Sequence, residues 1–515
     1  MKRLWLKMLS ALLIMALLCG AAMAAGEVYV NDAGGRISGD LSETYAVGST
    51  GTQQLGNASA SALTASGLQQ VGGKQETYAP IPVELNLVRV GLFYGSDARA
   101  EMPLTLTNGS GFRVGYFDAN RSFVSLGTIG AADINVVPDH TADIAAGTTG
   151  GYHIRLNQTY ESLDAARAAA DAAGGFPFYQ NGTFVVLVGS YTSRNDADAA
   201  LKNKGYSGAV YTGTDRSVLI LKNSSERVLF GFDCGSSYSL AVSPISDGKA
   251  VTKCGEYGYY GDFQFTRLTG DKLTVVNFIG LEDYTKGVLA NEMGADWPLE
   301  ALKAQAVMAR TYAVANQNKF RAYGFDLSPD TKSQVYNGLH NATDKTNQAV
   351  DETAGKFVRY QGAVCAVYYF AADGGATEDS ENVWSDTVVP YLRAVQDPYE
   401  ADIDFYCKSW SMTVPKSQTG EVTTTKTPIG NILSITAGGK TYTKDNVRDF
   451  LKNIGARYTS RHFTVTEQGD NYVISGGGYG HNLGMSQWGA YSMAKVHNMT
   501  YDQIISFYFT GAYVG

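Results

Sequence analysis

Residues 281–316 read LEDYTKGVLANEMGADWPLEALKAQAVMARTYAVAN and carry the strongest structural pattern of the chain. The pattern predicts two helices joined by a short turn. Tyr284, Val288 and Leu289 have helical spacing in the first helix. The second helix repeats apolar residues on one face, at Leu299, Leu302, Ala306, Ala309 and Ala313. Because alanine is small, we expect another element to approach this face closely.

The turn between the two predicted helices follows Glu292. Gly294 suits a left-handed conformation there, Asp296 can cap the second helix, and Pro298 fits in its first turn. Glu292 then lies where two helices meet, beside apolar neighbours. A carboxyl group that loses water at such a place has a raised pKa, which is what a general acid needs.

Length and charge limit the possible functions. The chain has 515 residues, too many for one ordinary core, so we expect roughly two to four domains. The net charge is −8, and it falls to −11 without the first 24 residues, which hold three basic residues and no acidic one. An acidic chain argues against nucleic acid as a partner.

The N-terminus has the pattern of a signal peptide. A basic start with Lys2, Arg3 and Lys7 precedes an apolar core and a small-residue cleavage pattern that ends at Ala24. Residues 1–24 are therefore predicted to direct export, either as a cleaved signal peptide or as an uncleaved membrane anchor. We expect a secreted protein, located in the cell wall or on the outer face of the cell membrane.

Four cysteines remain without the signal peptide: Cys234, Cys254, Cys365 and Cys407. An even number outside the cell permits disulfides, and proximity in sequence favours Cys234–Cys254 if any pair forms. Free buried thiols are the alternative. None of the cysteines has the close spacing to histidine or to another cysteine that a zinc site requires.

Composition divides the first part of the chain. Residues 25–80 are rich in Gly, Ser, Thr, Ala and Gln, which predicts a flexible spacer. Residues 81–150 contain several strand-like runs and are predicted to form a β-rich region. Residues 151–222 then alternate strand and helix patterns, with Asn181-Gly182 as a strong hairpin signal.

The pattern of residues 151–222 is a repeated split β-α-β unit. It contains SLDAARAAADAAGG, a helix, and FVVLVGSYTSRNDADAAL, a strand followed by a second helix. This segment resembles the SPOR domain. The resemblance implies a ferredoxin-like βαββαβ fold that binds peptidoglycan glycan strands stripped of their peptides. The alternative is a small α+β spacer with no ligand.

The chain between residues 273 and 513 carries four motifs in a fixed order. They are LEDYTKGVLANEMGADWPLEALKAQAVMARTYA; SQVYNG followed by AVDETAGKFVRYQGAVCAVYYFAADGGATEDSENVW; VPYLRAVQDPYE; and GGGYGHNLGMSQWGAYSMAK. In order and length they resemble the SpoIID/LytB family of stage II sporulation protein D and the amidase enhancers. Asn482 departs from the glycine that is common at its place. On this resemblance, residues 223–515 are predicted to form the catalytic domain.

The resemblance implies a lytic transglycosylase. Such an enzyme cleaves the MurNAc–GlcNAc β-1,4 bond of peptidoglycan and leaves a 1,6-anhydro-MurNAc end. The family's catalytic glutamate corresponds to Glu292. One carboxyl group serves twice, as the acid that protonates the glycosidic oxygen and then as the base that takes a proton from the sugar's own 6-hydroxyl. This chemistry needs no cofactor and no metal.

Six further residues are candidates for substrate binding: Lys303, Arg310, Gln334, Tyr336, His481 and Gln487. Lys303 and Arg310 lie two turns apart on one helix, where either can bind the lactyl carboxylate of MurNAc or be an ordinary surface cation. His481 follows a Gly-rich stretch that permits close approach to a ligand, and it either contacts the glycan, orients Glu292 or is structural. For Glu292 itself, the alternative is a buried acid paired with Arg310.

The predicted architecture is α+β and multidomain: strand-rich, with a two-helix corner that carries the catalytic residue and a ferredoxin-like SPOR-like domain. The predicted function is a peptidoglycan lytic transglycosylase that prefers peptide-stripped glycan. Its implied partner is a cell-wall amidase that removes the peptides. Two other classes remain open, a non-catalytic wall protein that binds glycan and enhances an amidase, and a structural wall or spore-coat protein.

Overall fold

The computed structural model describes residues 87–515, apart from positions 141, 145, 146, 224, 226 and 269. The signal peptide predicted at 1–24 and the spacer predicted at 25–80 therefore lie outside the described residues. Within these residues the protein mixes helix and strand, with nine helices and several sheets. The prediction of a strand-rich α+β chain is confirmed.

The strands before the two-helix stretch are, in chain order, β1 (Leu87–Phe93), β2 (Met102–Leu106), β3 (Gly111–Phe117), β4 (Phe123–Ile129), β5 (Asp133–Pro138), β6 (Ala142–Ile144), β7 (Gly147–Thr149), β8 (Tyr152–Tyr160), β9 (Gly175–Gln180), β10 (Thr183–Tyr191), β11 (Gly208–Thr212), β12 (Val218–Lys222), β13 (Val228–Asp233), β14 (Leu240–Ile245), β15 (Thr252–Cys254), β16 (Tyr257–Tyr259), β17 (Asp262–Thr266) and β18 (Thr274–Gly280). The later strands are β19 (Val358–Tyr360), β20 (Ala363–Val364), β21 (Tyr369–Phe370), β22 (Trp410–Pro415), β23 (Val422–Lys426), β24 (Ile432–Ala437), β25 (Lys440–Thr443), β26 (Phe463–Gln468), β27 (Asn471–Gly476), β28 (Met485–Ser486) and β29 (Tyr513–Val514).

The helices are α1 (Leu163–Ala173), α2 (Arg194–Lys204), α3 (Leu281–Glu292), α4 (Leu299–Ala315), α5 (Asp344–Glu352), α6 (Lys416–Thr419), α7 (Asn446–Asn453), α8 (Gln487–Lys495) and α9 (Tyr501–Tyr508). The two helices predicted from residues 281–316 are α3 and α4, and both are confirmed.

A six-stranded sheet positions α3. Its order is β1-β18-β17-β14-β3-β4, and Leu87 of β1 lies opposite Gly280 at the end of β18. Helix α3 begins at the next residue, Leu281. The start of α3 is therefore fixed to the sheet without an intervening loop.

A ten-stranded sheet runs through the segment that resembles a SPOR domain. Its order is β11-β8-β10-β9-β13-β12-β5-β2-β15-β16. Residues 152–212 contribute β8-α1-β9-β10-α2-β11, whose four strands pair antiparallel. Asn181 and Gly182 both have positive φ, 46° and 94°, as a tight hairpin between β9 and β10 requires. The sheet continues through β13, so the boundaries predicted at 150 and 222 do not end it.

The same continuity joins other predicted domains. Strands from residues 87–138 share both large sheets with strands from residues 218–280. One hydrophobic core runs from Val88 to Ala512 and includes α3 and α4. A boundary at residue 223 therefore cuts through shared sheets and a shared core. A smaller core belongs to residues 414–474 alone.

The turn between α3 and α4 differs from the prediction in two details. Gly294 does not have a positive φ, and the N-cap of α4 is Pro298, with no side-chain cap from Asp296. A Cβ would be crowded there instead, although the nearest atom belongs to the exposed side chain of Asp296. A Cβ at Gly294 would lie 2.5 Å from Asp296 Oδ1 and 3.3 Å from the ring of Trp297. The ring is close because the backbone N–H of Trp297 donates to the Gly294 carbonyl.

Helix α4 is buried on all sides and not only on the predicted face. Thirteen of its residues are buried, among them Ala301, Ala304, Ala306, Ala309 and Ala313 with no exposed surface. Helices α3, α5, α8 and α9 all contact it. The four cysteines outside the predicted signal peptide are buried and not disulfide-bonded, so Cys234–Cys254 is not a disulfide.

A buried carboxylate ties α4 to the six-stranded sheet. Asp326 follows α4 and has no exposed surface; it pairs with Arg89 of β1 and with Arg121 of the β3–β4 turn, both at 2.8 Å. Burial alone raises the pKa of Asp326, but the hydrogen bond and charge of Arg89 and the charge of Arg121 outweigh it and hold the pKa below its usual value. The stability that this pair provides is therefore present near neutral pH and lost as the pH falls through the folded-state pKa.

Asp326→Asn should lower the free energy of unfolding by roughly 3 kcal/mol, because it leaves Arg89 and Arg121, whose side chains are only 20% and 21% exposed, without their charged partner. Thermal unfolding of the mature protein near neutral pH measures this effect. The exposed Asp97 provides the matched control, since Asp97→Asn should change stability by less than about 0.5 kcal/mol. Equal melting temperatures for the two variants would contradict the stabilising role of the Asp326 ion pairs.

Candidate active site

Glu292 is the last residue of α3, and its side chain is partly exposed. The hydroxyl of Tyr369 donates to Oε1 at 3.1 Å. The other oxygen, Oε2, is buried and accepts no hydrogen bond of ordinary geometry from the described residues. Met293 and Trp297 are buried beside it in sequence, 3% and 7% exposed. One carboxylate oxygen is thus held in place, and the other lacks a hydrogen bond of ordinary geometry.

Burial raises the pKa of Glu292 from an ordinary 4.5 to about 7. Hydrogen bonds from Tyr369, from the backbone N–H of Val335 and from the side chain of Gln487 lower the pKa in part, but they do not cancel the loss of water. A carboxyl group with this pKa is present in both its neutral and its ionised form near neutral pH. It can therefore donate a proton in one step and accept one in the next.

Gln334 contacts the tyrosine that binds Glu292, and it does not line an open cleft. It is buried, its Nε2 donates to Tyr369 Oη at 3.1 Å, and its Oε1 accepts from Tyr284 Oη at 3.1 Å. A hydrogen-bonded series therefore runs from Tyr284 through Gln334 and Tyr369 to Glu292. In this place Gln334 orients the tyrosine that holds the carboxyl group.

Tyr336 is structural in this arrangement. Its side chain is 1% exposed, its hydroxyl donates to Asn277 Oδ1 at 3.0 Å, and its ring packs against Tyr284 and Tyr259. Asn277 belongs to β18, so Tyr336 fixes the loop after α4 to the sheet that precedes α3. A side chain enclosed in this way supports the fold, and the prediction that Tyr336 binds substrate stays a prediction.

Arg310 does not reach a ligand either. The guanidinium group has no exposed surface; it donates to both oxygens of Glu282 and to the carbonyls of Val350 and Lys356. Its acidic partner is Glu282 and not Glu292, so the alternative that pairs Arg310 with Glu292 is wrong. Helical spacing shows which residues share a face of α4, but it does not show whether another element covers that face. Here α4 is buried on every face.

Lys303 is also committed to ion pairs. Its Nζ lies 2.8 Å from Glu300 and 2.7 Å from Glu352, and only 14% of the side chain is exposed. These contacts connect α4 with α5. Lys303 is therefore not a free lysine that points into a cleft.

His481 is buried and packs against strand β21. Its Nδ1 accepts from the backbone N–H of Leu483 at 3.1 Å, and its ring packs against Phe370 and Trp384. Burial, together with the positive charge of Arg448, lowers the pKa of His481 to about 3, so the imidazole is neutral. These contacts describe a buried, neutral histidine, and its predicted contact with the glycan or with Glu292 stays a prediction.

Gln487 does approach the catalytic candidate. It is the first residue of α8, and its Nε2 lies 3.5 Å from the Glu292 carbonyl and 3.5 Å from Gln305 Oε1 on α4. Of the six residues predicted to bind substrate, Gln487 and Gln334 are the two that the structure groups around Glu292. Both are buried. Gln334 contacts Tyr369, which binds the carboxyl group, and Gln487 contacts the backbone carbonyl of Glu292.

The sequence model of the family described as Stage II sporulation protein, SpoIID, matches residues 269–360. The stage II sporulation protein D of Bacillus subtilis is 30% identical over 266 residues, which are 46% of this chain and 75% of that protein. The chain belongs to the SpoIID/LytB family. An uncharacterized protein of Brachyspira hyodysenteriae is 40% identical over 270 residues, 49% of this chain and 71% of the relative.

A further relative of the SpoIID/LytB chain is the amidase enhancer of Bacillus subtilis, 32% identical over 286 residues. That match covers 44% of this chain and 39% of the enhancer. Each of these matches spans less than half of the chain.

Among the described residues, no helix has the length and apolar character needed to cross a membrane.

The fold explains why the SpoIID/LytB motifs occur together. The short strand β21 of the second motif pairs in parallel with β28 of the fourth, Tyr369 opposite Met485 and Phe370 opposite Ser486. Tyr369 thereby reaches Glu292 from 77 residues away in sequence. Sequence reasoning missed Tyr369, although it lies within the second motif, because nothing in its local spacing marks it.

The Gly-rich loop of the fourth motif brings two protein loops together. A Cβ at Gly478 would lie 2.6 Å from the Ala372 carbonyl, and a Cβ at Gly374 would lie 2.4 Å from the Gly477 carbonyl. The glycines thus permit backbone to approach backbone, and not a ligand as predicted. Asn482 has a φ of 64° and donates to the carbonyls of Asp373 and Ala376, which explains why asparagine can replace glycine there.

Glu292→Gln should stabilise the protein at alkaline pH. A carboxyl group whose folded-state pKa is raised contributes most to stability below about pH 4.5, and that contribution is lost as the pH rises through about 7. The variant has no charge to bury, so its advantage over wild type should grow between about pH 5 and pH 8, to at most about 3 kcal/mol. Melting temperatures across this range measure it.

Glu256, on an exposed turn, provides the control, because Glu256→Gln should show no such trend. A difference between Glu292→Gln and wild type that stays constant across the pH range would mean that Glu292 is well hydrated. The raised pKa would then be wrong.

Proposed function

We propose that this protein is a peptidoglycan lytic transglycosylase in which Glu292 is the catalytic acid and base. The observation that carries the proposal is a single carboxyl group, partly exposed, with a pKa of about 7 and one oxygen held by Tyr369. Membership of the SpoIID/LytB family is consistent with a role in the cell wall, and the relatives named for sporulation and for amidase enhancement support it.

In the proposed reaction, neutral Glu292 gives its proton to the oxygen that links MurNAc C1 to GlcNAc. The C1–O bond breaks and GlcNAc leaves with a free 4-hydroxyl. The 6-hydroxyl oxygen of MurNAc bonds to C1 and closes the 1,6-anhydro ring. Its proton passes to the Glu292 carboxylate, which restores the acid. No water and no second carboxylate take part, which fits a site where the causes of the raised pKa include no neighbouring acid.

The substrate we propose is glycan that an amidase has stripped of its peptides. Support comes from residues 152–212, which contain two helices and four antiparallel strands in the order β11-β8-β10-β9. We propose that this unit binds bare glycan and that the N-terminal segment directs export to the wall or the outer face of the membrane. A cell-wall amidase is the proposed partner.

A second function is favoured by one relative, the amidase enhancer of Bacillus subtilis. In that case the protein binds glycan and stimulates an amidase without cleaving the glycan itself. The two functions differ in whether new chain ends appear in the absence of any other enzyme.

Purified mature protein should release 1,6-anhydro-MurNAc ends from peptidoglycan, mainly from material pretreated with an amidase. Glu292→Gln should lower the yield at least about a hundredfold, because general acid–base catalysis contributes that much. Mass spectrometry of the soluble products measures both. Glu282→Gln is not a suitable control because Glu282 pairs with Arg310, so the exposed Glu256→Gln should be used, and it should retain activity.

The products decide between the alternatives. Reducing ends in place of anhydro ends would show hydrolysis by water and would overturn the intramolecular step. Intact glycan with wild-type protein, together with faster release of peptides by an added amidase, would assign the protein to the enhancer class.

Tyr369→Phe should shift the alkaline limb of the pH profile upward. The Tyr369 hydroxyl lowers the pKa of Glu292 by hydrogen bonding to its ionised form. Removal of the hydroxyl should raise that pKa, so the acid stays protonated up to a pH that is higher by about 0.5 to 1 unit. Initial rates of anhydro-product release across pH measure the shift. Tyr360→Phe, which deletes a hydroxyl on β19, is the control, and equal profiles for the two variants would contradict the role given to Tyr369.

A further inference from the structure

Three carboxyl groups meet outside the Glu292 site. Asp373 follows β21, Asp397 precedes a short 3₁₀ turn at Tyr399–Asp402, and Glu400 lies within that turn. One oxygen from each lies within 4.8 Å of the others. Their residues are 0%, 3% and 4% exposed. Three acids are thus gathered in a space that water does not reach.

The negative charge of this cluster has no basic partner among the described residues. None of the three acids forms an ion pair with lysine, arginine or histidine there. The groups that donate to them are neutral: the backbone N–H groups of Asp373, Gly374, Gly375 and Tyr399 and the hydroxyls of Ser486 and Tyr508. Buried carboxylates without a counter-charge are costly, and either bound protons or a bound cation removes that cost.

One oxygen of the cluster is left without a donor. Asp373 Oδ1 accepts from Gly375 N–H at 2.7 Å, whereas Oδ2 is buried and accepts no hydrogen bond from the described residues. Both oxygens of Asp397 and both of Glu400 have donors. A fully buried acceptor with no partner, on one of three clustered carboxyl groups, is the kind of group that a bound ion satisfies.

We propose that Asp373, Asp397 and Glu400 bind a calcium ion that stabilises the fold. An all-oxygen set of carboxylates suits a hard cation, calcium or magnesium, and not zinc. Calcium forms bonds of about 2.3–2.6 Å and can join oxygens up to about 5 Å apart, whereas magnesium spans only about 4.2 Å. The three oxygens lie within 4.8 Å of one another, so one ion can join them. Calcium is favoured because magnesium usually keeps several of its waters and is seldom held by protein ligands alone.

The proposed ion is linked to the N-terminus of α8. Glu400 Oε1 accepts from Ser486 Oγ at 2.6 Å, and Ser486 caps α8 by accepting from Gly489 N–H. A Cβ at Gly489 would lie 2.4 Å from Asp397 Oδ2, so α8 packs directly on the cluster. Gln487, next to Ser486, contacts the Glu292 carbonyl. Binding of the ion thus stabilises the helix that supports Glu292 from behind, whether or not the protein cleaves glycan.

The test measures the melting temperature of the mature protein in EDTA, in magnesium and in calcium, each up to about 5 mM. Calcium should raise the melting temperature of wild type by about 2–4 °C over EDTA, and magnesium should raise it less. Asp373→Asn should remove the response to calcium. Asp404→Asn is the matched control, because Asp404 is fully exposed a few residues from Glu400, and it should respond like wild type.

A direct measurement on wild type is independent of how the variants fold. Terbium(III) is the probe, since it occupies calcium sites and its emission is excited through nearby aromatic rings, here Tyr508, which bonds to Asp397. We expect sensitised emission that calcium displaces. Equal melting temperatures in calcium and EDTA, no displaceable emission, and an Asp373→Asn variant more stable than wild type in all three buffers would overturn the proposal, since the carboxyl groups would then share protons and no cation.

Discussion

The ion pair between Arg310 and Glu282 holds together the helices on which the candidate site depends. Arg310 has no exposed surface, and it joins α4 to α3 through Glu282, to α5 through the Val350 carbonyl and to the following loop through Lys356. A buried guanidinium group cannot lose such a partner without a large cost. Because α3 is fixed at its first turn by this pair and by β18, the position of Glu292 at its last turn is determined by rigid elements and not by a flexible loop.

Local signals in the sequence were sufficient to predict local structure. The apolar periodicity of residues 281–316 and the Asn181-Gly182 hairpin both depend on residues close together in the chain, and the structure confirms them. The extent of the sheets could not be predicted in the same way. The parallel pairing of β13 with β9 joins strands about fifty residues apart, and no periodicity within either strand indicates its neighbour. Domain boundaries inferred from changes in pattern therefore cut through continuous sheets.

The same limit applies to the site. Glu292 could be predicted because its apolar neighbours and the helix end lie within a few residues. Tyr369, which sets its hydrogen bonding, is 77 residues away, and its role depends on the pairing of β21 with β28. Lys303 and Arg310 were predicted in the cleft because a helical pattern identifies a shared face but not what covers it. In this protein carboxylates cover both side chains.

A raised pKa does not by itself identify a catalytic carboxyl group, and Glu400 shows why. Burial and the charge of Asp397 raise the pKa of Glu400, as burial raises that of Glu292. The two differ in their partners and their access. Glu400 is 4% exposed, and its two oxygens accept three hydrogen bonds, so it can neither reach a substrate nor exchange a proton with one. Glu292 remains partly exposed at a helix end and has an oxygen with no partner. Access and an unfilled hydrogen-bonding position, added to the pKa, are what favour Glu292 as the reactive group.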